Sequence, residues 1–306
     1  MDYSALLNQM FVFAVLLVIG YVMAKKKILT PEFSKCASAL LVNVFIVSSI
    51  INSVLGERPS LSGRQLFLSF AITTLSIVIT YVVAFLFCLP LRKESDAAQT
   101  EMMMEATNTL FVGLPVVSSL FGTEAVFYMG MSCIPYNLLL FTYGVWRLKK
   151  GRGSKKINFR DVLSVPLLAS VLALLLFALN LPVPRIVKGL FSTVSGATVP
   201  VSMIIIGASL GTASPAAAFT EKRNYLISAE RLIIAPVITY LVVRLFTDNQ
   251  VLLVTCTVIG GVPVGSVATP LSIKYGFNPE SCAKATMVTT ILSMVTIPAI
   301  IKVLFG

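Results

Sequence analysis

The sequence predicts an all-α polytopic membrane protein, and three observations carry the prediction. The 306-residue chain is 57% hydrophobic and only 12% charged, far too little charge for the surface of a soluble domain of that length. Its apolar residues gather in ten runs of roughly 20, the length that crosses a hydrocarbon core as a helix. Two of those runs carry the same interruption, Gly113-Leu114-Pro115-Val116-Val117-Ser118 and Gly261-Val262-Pro263-Val264-Gly265-Ser266.

The predicted spans lie near 5–24, 33–54, 66–89, 102–120, 124–146, 161–180, 188–211, 223–246, 249–273 and 282–305. The first has no basic residues before it and Lys25-Lys26-Lys27 after it, the reverse of a cleavable signal peptide, so it reads as a retained helix. Spans four and five are the least clearly separated, with only Gly122-Thr123-Glu124 between them.

The net charge of +11 could suggest nucleic acid, but its placement gives a topology signal instead. With the N-terminus outside, 17 of the 24 Lys and Arg residues fall on cytoplasmic segments, seven of them in the loop 147–160. Basic residues are retained on that side. The reading is a multi-pass protein of the cell (inner or plasma) membrane, with both termini outside, loop 147–160 cytoplasmic, the bilayer as its solvent and no nucleic-acid partner.

Five scattered cysteines, with no CxxC or Cys/His spacing, suggest neither a disulfide framework nor a zinc site. Histidine is absent, and the four aspartates, Asp2, Asp96, Asp161 and Asp248, lie at termini or loops. An intramembrane hydrolase or an Asp-rich prenyl-diphosphate enzyme therefore has no chemistry to work with. The sequence predicts no enzyme, no metal site and no cofactor.

The halves of the chain match in order. Pro31 to Lys35 and Pro184 to Lys188 share PxxxK, opening spans two and seven. Val78-Ile79-Thr80-Tyr81 in span three matches Val237-Ile238-Thr239-Tyr240 in span eight, and Gly-x-Pro follows in spans four and nine. Phe121-Gly122 and Tyr275-Gly276 come next. A unit of five spans makes the second copy enter from the opposite side, so the organisation is an inverted 5+5 repeat: repeat one 1–146, the basic loop 147–160 and repeat two 161–306.

Proline lacks an N–H and clashes with the preceding turn, so each Gly-x-Pro should break its helix near the midplane. Freed backbone groups in hydrocarbon must find partners, which puts such breaks inside the protein against a cavity. The half-helices that follow would aim their N-termini at the centre, where free N–H groups favour an anion. The predicted substrate site is Gly113, Pro115, Ser118, Gly261, Pro263, Gly265 and Ser266, with Asn108, Thr109, Asn137 and Asn43 as polar neighbours. Gly265 leaves room for close backbone approach. Glu230 and Arg231 are expected to snorkel toward the cytoplasmic end of span eight, and Glu105 to be interfacial.

The stretch Asn108-Thr109-Leu110-Phe111-Val112-Gly113-Leu114-Pro115, and Pro263-Val264-Gly265-Ser266-Val267 through Gly276, resemble helices four and nine of the auxin efflux carrier family. That family holds the plant PIN carriers and bacterial malate and malonate permeases, and the resemblance covers essentially the whole chain. It implies crossed broken helices four and nine, of bile-acid-symporter or NhaA-like architecture. It further implies a scaffold of helices 1, 2, 6 and 7, transport helices 3–5 and 8–10 in an elevator, and a homodimer. The short loop 147–160 resembles compact bacterial members, and span three carries no Asp, Glu, Lys or Arg where PIN carriers place ionisable residues. The expected function is a secondary active transporter of a small organic anion, a mono- or dicarboxylate, by alternating access. A sodium-coupled symporter of bile-acid type and a non-transporting anion sensor are the alternatives, and a coupling proton or sodium ion stays open.

Overall fold

In the computed structural model, the described residues are 3–55, 61–152, 165–179, 183–212, 215–265 and 267–306. They are helical throughout and contain no β-strand, only one isolated antiparallel bridge, Thr107 to Val264. Six helices among them are long and apolar enough to cross a membrane, and Phe11–Lys25, Val165–Leu179 and Gln250–Gly261 are shorter apolar helices. The chain is therefore a polytopic membrane protein. Side chains such as Phe11, Phe67, Ile186, Val295 and Val303 stand exposed on its helices, the surface that lipid covers.

The helices, in chain order, are α1 (Tyr3–Lys25), α2 (Pro31–Leu40), α3 (Ile46–Leu55), α4 (Gly63–Cys88), α5 (Ala97–Glu105), α6 (Leu114–Leu139), α7 (Val145–Gly151) and α8 (Val165–Leu179). They continue with α9 (Arg185–Gly196), α10 (Thr198–Thr212), α11 (Pro215–Thr220), α12 (Lys222–Ala229), α13 (Ala235–Val243), α14 (Gln250–Gly261), α15 (Ala268–Lys274) and α16 (Pro279–Phe305). Several starts are written in the sequence. Thr30 accepts a hydrogen bond from the Phe33 N–H ahead of Pro31, and Asn278 accepts one from the Glu280 N–H ahead of Pro279. Asn249 caps α14 through the Leu252 N–H.

Four π-helical turns, Leu41–Phe45, Thr109–Gly113, Leu140–Gly144 and Glu230–Ile234, lie within or beside these helices. Each widens the helix by one residue per bond and so rotates the side chains that follow it. Predicted spans four and five are separated by Gly122 at φ +62, where a left-handed residue turns the chain between two helical stretches. Gly276, at the matched place before α16, also has a positive φ of 73.

The chain forms two compact units. The first holds 1–73, 110–134 and 164–213, and the second holds 74–109, 135–163 and 214–306. In the first, α1 lies along α10, and a Cβ on Gly20 or Gly207 would collide with the backbone of the facing helix at Ile204 or Leu17. Small residues let membrane helices approach this closely. The second unit contains both interruptions of the helical backbone described next.

Candidate functional site

In the second unit, α5 ends at Glu105 and the backbone turns extended at Ala106 (φ −71, ψ 96). In the same unit, α14 ends at Gly261, residues 262–265 are non-helical, and α15 starts at Ala268. These two extended pieces cross and pair. The Asn108 N–H donates to the Pro263 carbonyl at 2.9 Å, and the Gly265 N–H donates to the Ala106 carbonyl at 2.6 Å. Thr107 and Val264 lie opposite each other between those bonds. In a medium without water every freed backbone group needs a protein partner. Here each break supplies partners to the other.

Side chains satisfy other groups. The Val264 N–H donates to Thr289 Oγ1 at 3.1 Å, and the Tyr136 hydroxyl donates to the Thr107 carbonyl at 3.2 Å. Gly265 is required by this crossing, because a Cβ there would stand 2.8 Å from the Thr107 carbonyl oxygen and 3.2 Å from that of Ala106. The backbone that approaches Gly265 is residues 106–107.

The largest buried side chain at the crossing is Arg231. Its Nη1 donates to the Met104 carbonyl at 2.9 Å, while Nε and Nη2 donate to the Val262 carbonyl at 3.1 and 2.7 Å. One guanidinium thus closes the C-terminal ends of both α5 and α14, where the helix dipoles are negative. Such charge-assisted bonds are stronger than neutral ones. The expected snorkelling of Arg231 is therefore corrected: it is 0% exposed, and the π-turn Glu230–Ile234 carries it into the crossing. Glu230 is equally buried, and Glu105, expected at an interface, is also 0% exposed.

Neither oxygen of Glu105 or of Glu230 has a hydrogen-bond partner among the described residues. Glu101, one turn before Glu105, is fully satisfied by contrast. It accepts from the Tyr143 hydroxyl at 2.6 Å and from Arg147 Nε at 2.7 Å. The side-chain nitrogen of Asn108 is buried and likewise has no partner among the described residues.

The predicted site residues divide between the units. Asn108, Thr109, Asn137, Gly261, Pro263 and Gly265 belong to the second, all of them buried. Asn108 lies in the first break itself, and the Thr109 hydroxyl shares a 2.6 Å hydrogen bond with that of Thr107. Gly113, Pro115, Ser118 and Asn43 belong to the first unit. The first Gly-x-Pro is not a break: the interruption comes earlier, at 106–108, and Pro115 stands second in α6, just after a π-turn. The helical backbone already runs from Thr109, and the π-turn just before Pro115 shifts the hydrogen-bond register where the proline lacks an N–H. Ser118 lines a cavity of about 170 Å³ in the first unit, with Ser49, Asn52, Thr123, Ser195 and Thr198. Asn43 is exposed and turns back to the Ala39 carbonyl at 2.8 Å. Ser266 lies outside the described residues.

Thr107, Tyr136, Thr289 and Arg231 were not among the predicted site residues. Only Arg231 had a signal in the sequence, a guanidinium followed by twelve residues with no charge, 232–243.

The model of a family described as membrane transport protein matches residues 5–301. The chain belongs to that family. Membership bears out the resemblance to auxin efflux carriers read from helices four and nine. A relative in Methanothermobacter thermautotrophicus, called an uncharacterized transporter, is 26% identical over 292 residues, 93% of each chain. The crossing of the two breaks thus lies in a membrane transport protein.

Proposed function

We propose that the protein is a secondary active transporter of a small organic anion, a mono- or dicarboxylate, working by alternating access with its substrate at the crossing. The observation that carries this reading is the Asn108 side-chain nitrogen, a buried donor left without a partner beside two paired breaks. An unmet buried donor costs about 1–3 kcal/mol, which a carboxylate acceptor would relieve. The remaining predicted residues, Thr109, Asn137, Gly113, Pro115, Ser118, Ser266 and Asn43, are assigned to the substrate path on the same reading.

The proposed architecture has ten membrane-spanning helices in an inverted five-plus-five repeat. The positive φ at both Gly122 and Gly276, each following a half-helix that starts after a break, supports two matched copies. Scaffold helices 1, 2, 6 and 7 and a moving remainder are proposed as an elevator. Support comes from two compact units, one of which gathers 1–73 and 164–213, although it also takes 110–134. Placement in the cell membrane with both termini outside, and a homodimer, complete the proposal.

Proteoliposomes with verified insertion, assayed for uptake of labelled malate, malonate and indole-acetate, test it. Uptake of at least one carboxylate is expected, and uptake of none removes the reading. Asn108→Ala should weaken apparent affinity by roughly ten- to a hundredfold, the range for one hydrogen bond to a charged group. Flux, as against binding alone, separates a carrier from an anion sensor.

A further inference from the structure

We propose that Glu105 and Glu230 form the site of a coupling proton, and that Arg231 occupies the position a coupling sodium ion would need. The inference rests on the transport reading above and adds the ion that drives it.

The carbonyls at the broken ends of membrane helices are the oxygen ligands with which carriers hold a sodium ion. In this protein the Met104 and Val262 carbonyls, at the ends of α5 and α14, face Arg231 instead. A guanidinium keeps its charge under all ordinary conditions and does not leave. The positive charge that the two helix ends attract is therefore built into the chain and cannot cycle across the membrane.

The mobile charge must be found elsewhere, and the same cluster supplies it. Glu101 and Arg147 cancel each other in a 2.7 Å ion pair. That leaves two carboxylates, Glu105 and Glu230, against the single guanidinium of Arg231. Fully ionised, the cluster would hold one uncompensated negative charge away from water, an arrangement of high cost. One proton removes it, and the four carboxylate oxygens without partners are where it can sit.

The groups that face Glu105 come from each surrounding element. Glu101 lies on its own helix, Tyr143 and Arg147 on the stretch 140–151, Glu230 on the π-turn after α12, and Tyr81 and Cys88 on α4. Glu230 faces its neighbour Arg231 and Cys88, and Arg231 in turn faces Tyr81 and Tyr136. Tyr81 has a buried hydroxyl with no hydrogen-bond partner among the described residues. With Cys88, it is a titratable side chain of α4 that feels the charge of Glu105. Glu101 and Glu105 stand four residues apart on one helix face. The partly exposed Arg147, Glu101 and Glu105 thus form a polar line from the rim of the second unit to its centre.

Two measurements test the proposal. In proteoliposomes with the membrane potential clamped, the carboxylates above are offered under an imposed pH gradient or an imposed sodium gradient. A gradient of one pH unit should accumulate substrate about tenfold when one proton moves per substrate, and a sodium gradient should accumulate none. Accumulation driven by sodium, or by neither gradient while exchange proceeds, overturns the proposal. Absence of exchange at equal pH for every carboxylate removes the transport reading instead. The second measurement needs no substrate: infrared titration of the purified protein. A protonated-carboxyl carbonyl band that titrates in the wild type should disappear in Glu105→Gln or Glu230→Gln protein that elutes as a single species. A band unchanged in both variants overturns the proton site.

Discussion

The two copies of Gly-x-Pro have the same residues and different structures. In the second, Gly261 ends α14 and Pro263 lies in the extended piece, so the proline marks the break. In the first, the break has already occurred at 106–108, and Pro115 sits near the start of a helix. A proline needs only a position where its missing N–H is not wanted, and both a break and the register shift of a π-turn provide one. The motif fixes where a helix cannot run straight through, and the surroundings choose which side of it is extended.

Support for the two breaks differs as well. The first offers a carbonyl, at Thr107, to the Tyr136 hydroxyl. The second offers an N–H, at Val264, to Thr289. Arg231 is the element they share. The largest effect should therefore come from Arg231→Met, which opens both ends and leaves Glu105 and Glu230 uncompensated. A loss of about 3–5 kcal/mol is expected, measured as unfolding free energy in mixed micelles. A loss below about 1 kcal/mol would mean that the backbone pairing holds the crossing without the arginine.

Gly265→Ala comes next, at about 1–3 kcal/mol, since its Cβ meets rigid backbone. Gly261→Ala is the matched control: its Cβ meets only the Pro236 ring at 3.2 and 3.4 Å, and thermal unfolding should shift less. Equal shifts would deny the crossing its special need for glycine at 265.

The asymmetry of the side-chain supports can be broken with one pair of variants. Thr289→Val orphans a buried N–H and should cost about 1–3 kcal/mol, whereas Tyr136→Phe removes one donor from a carbonyl and should cost about 0.5–1.5 kcal/mol. Orphaned N–H groups are the rarer and costlier of the two. Denaturation midpoints in the reverse order would put the weaker break on the other side. The smallest effect belongs to Pro115→Ala, within about 0.5 kcal/mol, because the π-turn before it already accommodates the missing N–H. Pro263→Ala should exceed it, since it adds an N–H where the chain is paired through its carbonyl. Transport rates of the two variants should separate in the same order.

Much of this was legible in the residues. The apolar runs and the punctuation at Gly122 are local features that neighbouring residues dictate. Gly265 stands out in the sequence for its missing side chain, but what approaches it could not be read, since residues 106–107 lie far away in the chain. Arg231 shows the limit most clearly. Counting its distance from the end of an apolar run predicted snorkelling, because a straight α-helix allows it. The π-turn at 230–234 and two distant carbonyls decided otherwise.

The sequence by itself determined that the chain crosses a membrane repeatedly and that two helices are interrupted, since hydropathy and proline act over a few residues. Tertiary structure decided that the interruptions meet, that 106–108 rather than Gly113 is the first break, and that Arg231 closes both ends. Those outcomes depend on satisfying backbone groups where no water can do so, and the two breaks that pair, like Arg231 and Met104, lie more than a hundred residues apart.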